Sequence, residues 1–122
     1  MLDTYQNAVR RTAINGLSEK DDLLLGVIGL CGESGEAADL VKKHVFHGAP
    51  LDREALIEEM GDVLWYLAHL AGVLGTSLHE VATANVEKLL LRYPDGFRPR
   101  SEASVRTDAA CGGVEADDVA VA

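Results

Sequence analysis

Apolar residues recur along most of the chain with the three- and four-residue spacing of α-helices, and no alternating strand pattern interrupts them. Glycine and proline divide this pattern into four segments, which predict four helices joined by short connections. The predicted helices extend over about 2–15, 21–46, 52–74 and 77–92. The chain is therefore expected to form an all-α, four-helix bundle.

Local signals support several of these boundaries. Asp52 is a suitable N-cap for the third helix, because its carboxylate can accept a hydrogen bond from a free backbone N–H. Ser77 and Glu80 have the spacing of a capping box at the start of the fourth helix. Glycine ends helices readily, and it follows the first three predicted helices, at Gly16, Gly48 and Gly75.

Two predicted helices are apolar on nearly every side. The second contains "LLLGVIGLC" and the third contains "VLWYLAHLAGVL". Such helices are usually buried all round, and a bundle formed by residues 1–98 alone can hardly bury both. We therefore expect the helix contacts to continue across a subunit interface, in a homodimer or homotetramer.

The composition changes at about residue 99. Residues 99–122 are mainly small, polar and acidic, with no periodic apolar face. This segment is expected to be a disordered acidic tail without catalytic residues. Residues 1–98 are then expected to form a single domain.

Charge and cysteine content restrict the possible functions. The formal net charge is −9, which argues against a nucleic-acid-binding surface, since such a surface needs clustered Lys and Arg. Two cysteines, Cys31 and Cys111, provide no disulfide framework. The apolar runs are shorter than the roughly 20 residues of a membrane span, and no signal peptide opens the chain. These features predict a cytoplasmic protein without membrane partners.

Two pairs of acids lie within the apolar helices. Glu33 and Glu36 are three residues apart, as are Glu59 and Asp62, so each pair shares one helix face. If the two helices pack antiparallel, the pairs can face each other, and four uncompensated carboxylates would repel strongly. A hard divalent cation, Mg²⁺ or Mn²⁺, would relieve that repulsion. The alternative is that each pair belongs to a solvated helix surface, where such pairs are common.

Glycine lies beside both acidic pairs, at Gly32, Gly35 and Gly61. In a helix interior glycine costs about 1 kcal/mol relative to alanine. Its presence here indicates either a close approach of two backbones or room for a ligand.

Three stretches, in this order, carry a family resemblance: "GLCGESGEAADLVKK", "LIEEMGDVLWYLAHLAGVLG" and "NVEKLLLRYPDGF". They resemble the MazG-like nucleoside triphosphate pyrophosphohydrolases of the all-α NTP pyrophosphatase superfamily, over roughly Tyr5 to Phe97. The resemblance implies an oligomeric helical bundle. It also implies Mg²⁺-dependent hydrolysis of nucleoside triphosphates to monophosphate and pyrophosphate, in nucleotide-pool house-cleaning.

The family pattern Glu-x-x-Glu, spacer, Glu-x-x-Asp falls on Glu33, Glu36, Glu59 and Asp62. The resemblance implies that these acids hold the metal ions and form the catalytic centre. Trp65 is a candidate for stacking on the base. Polar groups would face the phosphates, and the candidates are Lys42, Lys43, Asn85, Lys88 and Arg92, of which Asn85 and Lys88 match a family Asn-x-x-Lys pattern.

Two other functions fit the same sequence. One is a narrower dUTP- or dCTP-type pyrophosphatase on the same scaffold, because base selection depends on the shape of the pocket. The other is a non-catalytic helical interaction module that regulates another protein. The four intact acids argue against the second.

Overall fold

The computed structural model describes residues 1–97. This part of the chain contains four helices and no strand, which confirms the all-α prediction. The helices are α1 Leu2–Thr12, α2 Glu19–His47, α3 Arg53–Val73 and α4 Leu78–Arg92. The predicted tail, residues 99–122, lies outside the described residues.

The capping signals explain most helix boundaries. Asp52 accepts a hydrogen bond from the backbone N–H of Ala55 at 3.0 Å, and Ser77 and Glu80 form the predicted capping box, each accepting from the other's backbone N–H. The start of α2 differs from the prediction. It begins two residues early because Ser18, which precedes it, accepts from the backbone N–H of Asp21 and acts as the N-cap.

The predicted end of α1 at Asn15 is also wrong. The helix ends at Thr12, since Ala13 already has an extended backbone conformation. The connection to α2 then passes through Gly16, which has a positive φ of 85°, a conformation that glycine adopts at little cost.

The chain divides into two units, Met1–Glu87 and a second one that begins at Lys88. The first contains α1, α2, α3 and the first part of α4. The described part of the second contains the end of α4 and the turn that follows it, where Tyr93 and Phe97 form an edge-to-face aromatic pair.

In the first unit, α3 packs against both α2 and α1. Neighbouring side chains across α2 and α3 follow opposite sequence order, with Asp22 beside His69, Gly29 beside Tyr66, and Glu33 beside Asp62. The two helices are therefore antiparallel, which is the arrangement that allows the two acidic pairs to face each other.

Two glycines of α2 permit this close packing. A Cβ added at Gly29 would lie 2.6 Å from Cδ1 of Tyr66, and one added at Gly26 would lie 2.8 Å from Cγ of Leu70. The glycines beside the acids behave differently, because a Cβ there would meet no atom within 4 Å, at Gly32, Gly35 and Gly61. Of the two alternatives given for these three glycines, the structure therefore agrees with room for a ligand, since they border open space.

The core of the first unit is small. Its buried apolar side chains are Val9, Ala68, Ala71 and Leu78. The buried side chain of Gln6 crosses this core: its amide donates to the carbonyl oxygens of Ala68 and Thr76, and its Oε1 accepts from the N–H of Leu78. Gln6 thereby ties α1 to the connection between α3 and α4.

Many large apolar side chains of α2 and α3 remain exposed. Ile28, Ile57 and Met60 each expose more than half of their surface, at 61%, 67% and 62%. One copy of the chain therefore leaves these helices only partly covered. Within residues 1–97, no helix is both long and apolar enough to cross a membrane.

Candidate functional site

The predicted carboxylates meet on the facing sides of α2 and α3. Glu33, Glu59 and Asp62 each offer one oxygen, and these three oxygens lie within 4.8 Å of one another. Glu33 and Glu59 are half-buried, whereas Asp62 is exposed. Glu36 follows Glu33 by one helical turn and lines a groove together with Glu59. The structure thus brings three of the four predicted acids together, and the fourth, Glu36, lies near Glu59 but outside this set.

Glu59 is the electrostatic centre of this cluster. Its pKa is raised above the usual value, first by partial removal from water and then by the negative charges of Glu36, Glu33 and Asp62. A divalent cation would remove that repulsion, and an all-oxygen set of carboxylates suits Mg²⁺ or Mn²⁺. The residues therefore fit a hard metal ion.

A tyrosine of α1 is also within electrostatic reach of the cluster. The pKa of Tyr5 is raised by burial and by the negative charge of Asp62, so its hydroxyl stays protonated at neutral pH. The sequence analysis did not identify Tyr5 as a site residue. No local signal could have done so, because its position depends on the docking of α1 against α3.

Two grooves flank the acids. One has a volume of about 340 Å³ and includes Gly32, Gly35, Glu36, Lys43 and Glu59 in its lining. The other has a volume of about 260 Å³ and is lined by Glu33, Asp62, Trp65 and Tyr66. Since no atom occupies the space where a Cβ of Gly32 or Gly35 would lie, these glycines leave room beside the acids, as one of the two sequence interpretations expected.

Lys43 lies in the first groove but is paired with Asp39. Its Nζ is 2.7 Å from Asp39 Oδ2, and Lys42 binds the other carboxylate oxygen. Hydrogen bonds from both lysines lower the pKa of Asp39 to about 2. Ion pairs between exposed side chains contribute little, so this pair holds Lys43 only weakly, and its binding to a phosphate stays a prediction.

Trp65 lies beside the acids in a fixed orientation. Its indole N–H donates to Oγ1 of Thr12 at 2.8 Å. Its ring stacks on His69, with centroids 5.2 Å apart and planes at 10°, and meets Tyr66 edge-on. The predicted stacking of Trp65 on a base stays a prediction, although the indole lines the same groove as Glu33 and Asp62.

The remaining predicted residues lie on α4 and are exposed. Asn85 belongs to the first unit, where Leu78 is the residue of α4 that lies in the core with α1 and α3. A single copy does not bring Asn85 to the acids. Lys88 and Arg92 belong to the second unit, where the Arg92 guanidinium lies 5.4 Å from the centre of the Tyr93 ring. Substrate binding by these three residues stays a prediction.

Comparisons with known proteins add independent information. The family model of the MazG nucleotide pyrophosphohydrolase domain matches residues 23–97. "Gene 37 protein" of Mycobacterium phage L5 is 37% identical over 103 residues, which cover 78% of this chain and 90% of the phage protein. "Uncharacterized protein YvdC" of Bacillus subtilis (strain 168) is 38% identical over 73 residues, covering 52% of this chain and 69% of that protein. No solved structure matches the chain.

Proposed function

Because the chain belongs to the MazG nucleotide pyrophosphohydrolase family, we propose that it hydrolyses nucleoside triphosphates to monophosphate and pyrophosphate with the help of Mg²⁺. The observation that carries this proposal is the meeting of three carboxylate oxygens within 4.8 Å on facing helices. Mn²⁺ is the second candidate ion, since it accepts the same oxygen ligands. The reaction suits the removal of unwanted nucleotides from the cellular pool.

In this proposal, Glu33, Glu36, Glu59 and Asp62 hold the metal. When bound, the metal neutralises charge on the phosphates and acidifies the attacking water. One of the glutamates would accept the single proton that this water loses as its oxygen bonds to the α-phosphorus, and the pyrophosphate group would leave with the bridging oxygen. Lys43 lines the groove beside Glu36 and Glu59, and this supports the expectation that its ammonium meets the outer phosphates.

We further propose that the working form is a homodimer or homotetramer. The support is the exposed apolar surface of α2 and α3, which includes Ile28, Ile57 and Met60. Burying apolar surface contributes roughly 25 cal/mol per Å², so a second copy that covers these side chains would stabilise the assembly. In such an assembly, α4 of another copy could bring its Asn85 to the acids.

The test is a panel of NTPs and dNTPs incubated with Mg²⁺, with the products separated. We expect a monophosphate and pyrophosphate rather than a diphosphate and phosphate, and the most rapidly hydrolysed base identifies the preferred substrate. Asp62→Asn keeps the side-chain shape but removes one charge, and turnover should fall by orders of magnitude. Glu58→Gln is the matched control, because it removes one charge from an exposed residue of the same helix.

Melting curves separate the proposed site from a solvated surface. The metal-free Asp62→Asn protein should melt at the same or a higher temperature than the wild type, because one repelling charge is gone. Mg²⁺ should raise the melting temperature of the wild type clearly more than that of the variant, since binding to the folded state stabilises it. Equal turnover and an equal response to Mg²⁺ in both proteins would refute the carboxylate site.

A further inference from the structure

Residues of all three packed helices fix the indole of Trp65. On α1, Thr12 accepts a hydrogen bond from the indole N–H. On α3, the imidazole of His69 stacks on the indole almost in parallel. On α2, Asp22 lies 2.9 Å from Nε2 of His69. The indole is thus held on one side by a direct hydrogen bond and on the other through a pair of polar residues.

The pair formed by Asp22 and His69 places polar atoms beside the apolar core. His69 is only 7% exposed, and neither Nε2 of His69 nor Oδ1 of Asp22 forms a well-aligned hydrogen bond within the described residues. Burying polar atoms without such bonds is unfavourable. An apolar residue at position 69 would avoid that cost, so the presence of His69 calls for a role other than packing.

The position of Trp65 indicates that role. Trp65 is half-buried and lines the groove of about 260 Å³ together with Glu33, Asp62 and Tyr66. A flat aromatic surface beside metal-binding acids suits the base of a nucleotide, because any base can stack on an indole. Such a surface binds best when it is already fixed, since no side-chain freedom is then lost on binding.

We propose that His69, held by Asp22, is a positioning residue that fixes Trp65 as the base-stacking wall of the carboxylate groove. This inference rests on the function proposed above, since it assumes a nucleotide in that groove. It assigns His69 and Asp22 a part in substrate affinity and none in the chemical step. Loss of His69 should therefore raise KM for a nucleotide and leave kcat almost unchanged.

The variants are His69→Leu, which removes the stacking ring, and Asp22→Asn, which removes the charge that holds it. His69→Phe restores a stacking ring without the polar contact. A cavity of about 250 Å³ borders both Asp22 and His69, so these side chains can change without displacing a helix. The control is His79→Leu, since His79 is an exposed histidine of α4.

Two ligands distinguish positioning from general damage. The first is the best nucleoside triphosphate of the panel, for which KM and kcat are measured. The second is inorganic tripolyphosphate, measured as a competitive inhibitor, because it presents phosphates to the metal site but has no base. Trp65 is the sole tryptophan of the chain, so quenching of its fluorescence by nucleotide reports base stacking directly.

Removing a stacking aromatic weakens base binding by roughly 5- to 150-fold. His69→Leu should free the indole of Trp65, and this should raise KM for the nucleotide about tenfold. It should also reduce the nucleotide-induced quenching of Trp65 fluorescence. Asp22→Asn should raise KM about threefold, and His69→Phe should recover most of the loss. The inhibition constant of tripolyphosphate should stay within about twofold in every variant, and His79→Leu should behave as the wild type.

The proposal is overturned if KM and the inhibition constant rise together, because the damage is then general. It is also overturned if His69→Leu and Asp22→Asn both keep the KM and the quenching of the wild type. If His69→Leu does not fold, Asp22→Asn and His69→Phe decide by the same criteria. A wild-type protein that hydrolyses no nucleotide would instead refute the proposed function, which is a separate result.

Discussion

The substitution Gly29→Ala tests how closely α2 and α3 pack. The added Cβ would lie 2.6 Å from Cδ1 of Tyr66, and two other ring atoms would be closer still. Non-bonded carbon atoms prefer about 3.5–4.0 Å, so the ring or the helix must move by more than about 1 Å. Gly32→Ala is the matched control on the same helix, because its Cβ would meet no atom within 4 Å.

Gly32→Ala should raise the free energy of unfolding, whereas Gly29→Ala should leave it unchanged or lower it. Alanine in a helix interior is more stable than glycine by about 1 kcal/mol, and Gly32→Ala should gain that amount. At Gly29 the same gain is opposed by overpacking, which typically costs about 1–3 kcal/mol. The two variants should therefore differ by about 1–3 kcal/mol in free energy of unfolding. For a domain of this size, 1 kcal/mol corresponds to about 4–8 °C in melting temperature.

The assay is thermal unfolding followed by circular dichroism at one fixed protein concentration, because the melting temperature of an oligomer depends on concentration. Tyr66→Ala removes the ring that the new methyl group would strike, so Gly29→Ala should be less harmful in that background. The difference between the two backgrounds measures the coupling of Gly29 and Tyr66. If Gly29→Ala melts as high as Gly32→Ala, the close packing described above is wrong.

Three further predictions concern assembly, the tail and pH. Light scattering at micromolar concentration should give a multiple of 13.0 kDa, and a folded monomer would contradict the proposed oligomer. Removing residues 101–122 should leave turnover and melting unchanged, and a large loss of turnover would show that the tail supports the site. Because the pKa of Glu59 is raised, the folded metal-free protein binds that proton more tightly than the unfolded chain does. The free energy of unfolding should therefore rise as the pH falls through this raised pKa, and Glu59→Gln should lose that rise. If the pH dependence of unfolding is the same in Glu59→Gln and the wild type, the acids are not crowded as described.

Features encoded over a few residues could be predicted from the sequence. The cap at Asp52 and the capping box of Ser77 and Glu80 depend on side chains that bond to nearby backbone groups, so their spacing alone indicates them. The acidic pairs share helix faces for an equally local reason. Their meeting across α2 and α3 needed one further assumption, that the helices are antiparallel.

Features that depend on docking could not be predicted. Asp62 raises the pKa of Tyr5 only because α1 packs against α3, and the side chains of Asp22 and His69 meet although they lie on different helices. Neither pair has a sequence spacing that indicates contact. The end of α1 was misplaced for a related reason, since Ala13 continues a helical pattern in the sequence and the chain nevertheless turns there toward α2.

The glycines of α2 differ in their surroundings according to the side of the helix on which they lie. Gly26 and Gly29 lie against α3, whereas Gly32 and Gly35 border open space, although all four occur in one continuous helix. Gly26 and Gly29 let α2 and α3 approach closely in the turns that precede Glu33. Gly32 and Gly35 leave a groove beside the acids. Widening the contact at Gly29 should therefore separate Glu33 from Asp62 and weaken metal binding as well as the fold. Gly32→Ala should instead keep the fold and the metal, and reduce turnover by filling the groove. The two substitutions would then separate the packing role of Gly29 from the role proposed for Gly32, which is to leave room for the substrate.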